Sequence, residues 1–310
     1  MRHINQLDLF SGIGGFHLGF ERAGYQVKSF FSEIDKHAVA VYKQKFKNST
    51  YVGSVTDVRG AELPTIDLIT FGSPCQDFSL AGKRKGMEGE RSSLILEAIR
   101  LIHECRPRVF IWENVKGTFS SNNGADFWAI VQAFANIGGY RLEWQLCNTK
   151  WFLPQNRERI YLVGYSTIPR GDWRGVFPIE RQTRNNTYQD IKEKQILLGY
   201  SRCNITGDVL NYHRKDVANT IHSSSGHGGN TDQFIKVNGV KDQSYRIRKL
   251  TPIECERLQG FPYNHTEYGN YDGVIKKMSN TQRYKQCGNA VTVDVVQAIA
   301  EQLKTIFDAE

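Results

Sequence analysis

The 310-residue sequence has no apolar run approaching the length of a membrane span, and its amino terminus passes from "MRHINQ" straight into a short strand-like run with no cleavable leader. Both absences predict a protein that stays in the cytoplasm. Cysteine is sparse: the six residues, at 75, 105, 147, 203, 255 and 287, stand more than 25 positions apart with no CxxC pair. That spacing excludes a zinc cluster and a disulfide framework, so no metal is expected and a reducing cytosol fits. Internal repeats and low-complexity tracts are also missing. What is present is a 40% hydrophobic, 23% charged composition, enough for a sizeable core in one large domain or two. The net charge of +8 favours a polyanionic partner through phosphate contacts, although many basic proteins merely repel one another.

The first half alternates. Strand-like runs "INQLDLF", "QVKSFF", "IDLITF" and "RVFIWE" are separated by amphipathic helical patterns, the rhythm of βαβ units and a parallel sheet. Phe16, Gly19, Phe20 and Ala23 recur at helical spacing before Gly24; Ile95, Ala98, Ile99 and Ile102 do the same, as do Phe127, Ile130, Val131 and Phe134. After Tyr165 the alternation stops, and residues to about Ser244 are polar, glycine-containing and poor in aliphatic periodicity. A boundary therefore falls near 170. The chain ends in a helix with Val295, Ile299, Leu303 and Ile306 on one stripe, which predicts that the carboxyl end packs back on the sheet.

Three stretches carry chemistry. In "LDLFSGIGGF" a strand runs into a glycine-rich turn and a helix, which brings backbone N–H groups to a ligand at the strand's end. Glu33 closes the next strand, where a carboxylate suits ribose hydroxyls, and Asp57 follows the third, within reach of an adenine amino group; alone, these are also an ordinary tight turn and solvated acids. His17 stands where a dinucleotide fingerprint has its third glycine, which counts against a nicotinamide cofactor. In "FGSPCQDFS", Phe71 ends a buried strand and Pro74 sets Cys75 beyond its carboxyl end. The helix over 92–104 joins that strand to 108–113, so a right-handed crossover makes the two adjacent and parallel, with Glu113 beside Cys75. Gln155, Arg157 and Arg159 of "QNRER" alternate along one strand face as a donor-rich row, or as a plain basic strand edge.

With "SEID", "GSVTD", "ENV", "RKLTPIECERLQGFP" and "QCGNAVTVDVV" in the same order, these motifs resemble the cytosine-C5 DNA methyltransferases, bacterial or phage modification enzymes. The resemblance implies a Rossmann-like α/β sheet with helices on both faces, formed by 1–170 and 283–310, and a smaller, mixed, loop-rich target-recognition domain at 171–282. It implies S-adenosylmethionine as methyl donor, leaving as S-adenosylhomocysteine, against Phe10, Ser11, Gly12, Ile13 and Gly14, with Glu33 and Ile34 on the ribose side and Asp57 and Val58 on the adenine. Pro74, Leu94, Asn289, Ala290 and Val291 look like further walls of that pocket. Cys75 resembles the nucleophile, Glu113 the group on cytosine N3 and its exocyclic amine, and Arg159, aided by Arg157, the contact to O2. A monomer acting on double-stranded DNA is implied, with a cognate restriction endonuclease as candidate companion.

Cytosine C5 is a poor nucleophile until a thiolate adds to C6 while a protonated Glu113 assists at N3. The base that removes the C5 proton is not identifiable in the sequence, and water is one candidate. A stacked base is out of reach, so the cytosine must be flipped out, at about a few kcal/mol. In "SLAGKRKGMEGERSS" the glycines at 82, 86 and 89 and the cations Lys83, Arg84, Lys85 and Arg91 predict a mobile, phosphate-touching lid, the bland alternative being a solvated loop. Gln76, Ser79 and Thr220 are further expected nucleic-acid contacts. Residues 165–247 carry 12 Lys or Arg against 8 Asp or Glu, suited to a compact recognition surface. Three competing readings stay open: a tRNA cytosine methyltransferase, a nicotinamide oxidoreductase, and a catalytically silent DNA-binding module.

Overall fold

The computed structural model describes residues 2–72, 93–166, 173, 175–180, 196–202, 209–215, 218, 234–238 and 245–308. The first half comprises β1 (Arg2–Leu9), α1 (Gly15–Arg22), β2 (Tyr25–Ser32), α2 (Lys36–Lys45), β3 (Thr50–Tyr51), β4 (Leu68–Gly72), α3 (Ser93–Cys105), β5 (Val109–Val115), α4 (Ala125–Ala135), β6 (Arg141–Asn148) and β7 (Glu158–Tyr165). The seven strands form one sheet in the order β3-β2-β1-β4-β5-β7-β6. The strands from β3 to β5 are parallel, as their alternation with helices predicts. β7 runs antiparallel to both neighbours, because the link 149–157 from β6 is too short for the crossover a parallel strand needs.

Strands covered on both faces read as near-continuous apolar runs, and these do. Leu7, Leu9, Ile69, Phe71, Phe110 and Trp112 pack against Ile95, Ala98 and Ile102 of α3 and Phe127, Ile130 and Phe134 of α4. The other face, Ile4, Leu68, Val109, Ile111 and Val163, meets Phe16 and Phe20 of α1 and the returning carboxyl end.

That return proceeds through β8 (Ile196–Arg202), β9 (Val209–Lys215), β10 (Phe234–Asn238) and β11 (Tyr245–Lys249), then α5 (Pro252–Leu258), the hairpin of β12 (Tyr268–Tyr271) and β13 (Val274–Lys277), α6 (Asn280–Asn289), α7 (Val293–Gln302) and α8 (Lys304–Asp308). The middle region thus holds a four-stranded antiparallel sheet, β11-β10-β8-β9, where the sequence shows little periodicity. Strands such as "FIKVN" and "YRIRK" are too short for an apolar pattern to stand out. α5 opens with a capping box, Thr251 and Glu254 each holding the other's backbone N–H, with Pro252 in the first turn. As the terminal stripe predicts, α7 lies on the sheet's α1 face: Val295, Val296 and Ile299 join that core, and a Cβ on Gly19 of α1 would stand 2.4 Å from Val296. Only glycine allows so close a helix contact.

Residues 250–282 also pack on this body. Phe261, Met278 and Val293 share a buried cluster with Ile13, Ala38 and Val41.

Candidate active site

All the strands that matter end on one edge. The turn 10–14 leaves β1, Glu33 follows β2, Gly72 closes β4, Glu113 stands near the end of β5, and Arg159 opens the antiparallel β7. The strand order reverses between β1 and β4, the position where open α/β sheets bind ligands.

The β1 turn is held in a conformation that few residues adopt. Phe10, Gly12 and Gly14 have φ values of 52°, 54° and 82°, in the left-handed region. A Cβ on Gly14 would stand 2.2 Å from the Phe46 ring, whereas at Gly12 nothing among the described residues lies within 4 Å. The first glycine is needed for packing, the second for open space. Glu33 acts here as a brace: Oε2 accepts from Gly12 N at 2.9 Å, and Oε1 accepts from Ile34 N at 2.8 Å and Asp35 N at 2.9 Å. Ile34 beside it is 82% exposed, an apolar side chain standing in the open next to a carboxylate. Ser11 Oγ is buried with no hydrogen-bond partner among the described residues. An open glycine, an unsatisfied hydroxyl and a bare isoleucine fit a bound donor of mixed polar and apolar surface.

Of the other expected walls, Val58, Ala290 and Val291 are buried, Leu94 is partly buried at the start of α3, and Asp57 and Asn289 are exposed. Val291 packs against Gly15, where a Cβ would stand 2.5 Å from it. Pro74, Cys75, Gln76, Ser79, Lys83, Arg84, Lys85, Arg91 and Thr220 lie outside the described residues.

Glu113 stands on the same edge, on β5. Its Cα is the parallel register partner of Gly72, the last residue of β4, three positions before Cys75 in the chain. A Cβ on Gly72 would stand 3.0 Å from Glu113 Oε2, so the absent side chain makes room for the carboxyl. Arg159 Nε lies 3.1 Å from Glu113 Oε1, both side chains largely buried. Burial raises the carboxyl's pKa above its ordinary value, and the Arg159 and Arg157 charges oppose that rise.

The donor-rich row divides in two. Gln155 is fully buried and its Nε2 donates to Leu258 O at 2.7 Å, while Arg157, also buried, donates to Gly288 O and Ala290 O at 3.1 and 2.9 Å. Both tie the entry of β7 to the carboxyl segment, while Arg159 forms an ion pair with Glu113. Alternation along a strand does not carry back to these two, since β7 begins only at Glu158.

Two groups escape the motif pattern. Asp8, fully buried in β1, accepts from Thr70 Oγ1 at 2.8 Å and Tyr42 OH at 3.2 Å, and burial raises its pKa to about 8. Lys285 Nζ pairs with Asp35 Oδ2 at 2.6 Å, joining α6 to the end of β2. An acid within an apolar strand is a visible sign of the first; nothing in the sequence pairs the second.

The sequence matches the model of the family described as "C-5 cytosine-specific DNA methylase" over residues 4–305. It is 33% identical to Type II methyltransferase M.Bsp6I of Bacillus sp. (strain RFL6), across 95% of this chain and 96% of that one. It is 34% identical to Type II methyltransferase M.NlaX of Neisseria lactamica, across 98% and 97%. In fold it resembles the S. pombe Dnmt2 methyltransferase, with a TM-score of 0.69 at 18% identity over 97% of this chain and 98% of that one. The carboxyl-edge site and a match over nearly the whole length lead to one conclusion: the chain belongs to the C-5 cytosine-specific DNA methylase family.

Proposed function

We propose that the protein transfers a methyl group from S-adenosylmethionine to C5 of a specific cytosine in double-stranded DNA, with the cytosine flipped out of the duplex and bound through C6 to Cys75. The observation that carries this reading is the Glu113 carboxyl, desolvated, braced by Arg159 and lying over the tip of the strand that leads to Cys75. A carboxylic acid held above its ordinary pKa is suited to keep its proton for a ring nitrogen.

The residues divide the work. The Cys75 thiolate forms a bond to C6 while Glu113 delivers a proton to N3, and the electron pair of the opened C5–C6 bond becomes available at C5. Arg159 faces the ring carbonyl, and its charge beside Glu113 opposes the rise that burial gives that carboxyl's pKa. Bound along Phe10–Gly14, Glu33 and Ile34, S-adenosylmethionine supplies an electrophilic methyl group for that carbon. Methyl transfer would leave S-adenosylhomocysteine; loss of the C5 proton to a base then re-forms the C5=C6 double bond, expels Cys75 as thiolate and returns the N3 proton to Glu113. Arg157 supports the site indirectly, through the carbonyls on either side of Asn289.

We place residues 1–170 in the catalytic lobe and bring the chain back to it at 250, because Phe261 and Met278 pack on Ile13, Ala38 and Val41. The antiparallel sheet β8–β11 then reads DNA. The protein is expected to act as a monomer in the cytoplasm, with a cognate restriction endonuclease, in keeping with the Type II names of its relatives. Methyl transfer from labelled S-adenosylmethionine to duplex DNA and to tRNA tests the reading: label in duplex DNA, mapped by bisulfite sequencing to one cytosine in a short site, supports it. Label only in tRNA, or none in either, overturns it.

A further inference from the structure

Among the described residues, the carboxyl segment meets the β1 turn through a polar contact. His265, 2% exposed, places Nε2 at 2.8 Å from the carbonyl oxygen of Ile13. A carbonyl only accepts, so Nε2 carries the hydrogen. Burial lowers the imidazole's pKa to about 4, opposed by the bond to Ile13 and by Glu256 and helped by Lys45 and Arg22, so the ring is neutral at physiological pH.

The turn's other bonds are to β2, to Glu33 and within itself and α1, where Leu18 N donates to Gly14 O. Ser11 N donates to Ser32 O, Gly12 N to Glu33 Oε2 and Gly14 N to Ser11 O. Ile13 lies between the two left-handed glycines, and its planar peptide with Gly14 turns as a unit. Holding the carbonyl on one side therefore fixes the Gly14 N–H on the other, and with it the backbone beside the open face of Gly12.

The imidazole is itself rigidly seated. Phe261 packs 4.5 Å from it between centroids and Phe46 6.1 Å, and Phe46 is also the ring that fills the space over Gly14. The next residue, Thr266, is anchored through its N–H to Glu256 Oε1 at 2.9 Å, and Glu256 forms a buried ion pair with Arg283, also at 2.9 Å. A rotation of this histidine would have to displace two aromatic rings and a loop held by a buried charge pair.

We propose that His265 is a positioning residue for the methyl-donor site: its Nε2–H holds the Ile13 carbonyl and so keeps the turn 10–14 in the shape the donor requires. This rests on the reading of that turn as the donor site. It predicts a specific kinetic signature, because a positioning defect in the turn weakens donor binding while leaving the chemistry at Cys75 and Glu113 in place.

The test compares His265→Leu, which removes the donor at similar volume, with His265→Gln, whose amide nitrogen reaches the Nε2 position, using S-adenosylmethionine in steady-state methylation and in direct binding titrations. His265→Leu is expected to raise the donor KM and Kd about tenfold, the effect of one buried hydrogen bond, with kcat at saturating donor within about twofold. His265→Gln is expected to recover most of the loss. A donor KM and Kd unchanged in His265→Leu overturn the proposal, as does a fall in kcat with KM unchanged. Should His265→Leu not fold, His265→Asn reads the same quantity, since its shorter amide stops short of Ile13; wild-type donor affinity there overturns the proposal too. A wild-type protein without affinity for S-adenosylmethionine refutes the donor-site reading itself, whereas wild-type affinity matched by the variants refutes only the role of His265.

Discussion

On the proposed reading, the donor half of the carboxyl edge is made of backbone and the acceptor half of charge. Around β1 the working surface is a left-handed turn with a bare glycine, its shape fixed by Glu33 from one side and His265 from the other. Around β5 it is a desolvated carboxyl paired with Arg159 and within reach of the Arg157 charge, over a glycine that leaves it room. Substitutions on the first side should act through shape and binding, and those on the second through protonation and rate. The same edge thereby separates holding one reactant from activating the other.

The largest effect is expected at Glu113. Glu113→Gln keeps the shape and removes the transferable proton, and kcat should fall by about a hundred- to ten-thousandfold while duplex binding, read by gel shift, survives. The neutral form of a carboxyl with a raised pKa persists to higher pH and is lost as pH climbs through that raised value. In the wild type, kcat/KM for DNA should therefore decline on the alkaline side of its profile. Glu113→Gln should lack that limb. An activity loss of less than about threefold would merge the two halves into one binding surface.

The two glycines of the donor turn sharpen the comparison from within one half. Gly12→Val projects into open space, so it should raise the donor Kd about ten- to hundredfold with little further loss of stability beyond its left-handed strain. Gly14→Ala drives a methyl into Phe46 at a φ of 82° and should lower unfolding stability by about 1–3 kcal/mol. Calorimetric binding and denaturant unfolding of both variants separate these outcomes. Equal loss of stability in both would mean that Gly12 is a packing residue after all.

The last effect, seen in stability alone, is the pH dependence at Asp8. An unfolded aspartate ionises near about 4, while the folded one holds its proton to about 8. Between those values the unfolded chain has lost a proton the folded chain keeps, so Asp8's contribution is full below the window and falls as pH rises through it. Thermal unfolding of Asp8→Asn from pH 5 to pH 8 should show a shallower decline than the wild type. Parallel curves would place the carboxyl's titration elsewhere.

Much of this was legible in the sequence because parallel strands with helical crossovers leave a strong periodic trace. The adjacency of "IDLITF" and "RVFIWE", which brings their carboxyl ends together, follows from one crossover rule, and the structure sets Gly72 against Glu113 in register. Arg157 was harder: its spacing from Arg159 suits a shared strand face, but it bonds backbone carbonyls more than a hundred residues away, which no local period encodes. His265 is of the same kind, one side chain meeting one carbonyl across 252 positions. The sheet β8–β11 stayed hidden for a different reason, since four short antiparallel strands in a polar stretch leave too few apolar positions to count.

The central claim is that Cys75 and Glu113 act on one cytosine, and a duplex carrying 5-fluorocytosine at the methylated position tests it most directly. Fluorine at C5 cannot leave as a proton does, so the bond between sulfur and C6 should persist after methyl transfer. The account predicts a denaturation-stable DNA–protein adduct, mapped by mass spectrometry to Cys75 and formed far more slowly in Glu113→Gln. An adduct at another residue, or one that forms at wild-type speed without the Glu113 carboxyl, contradicts it.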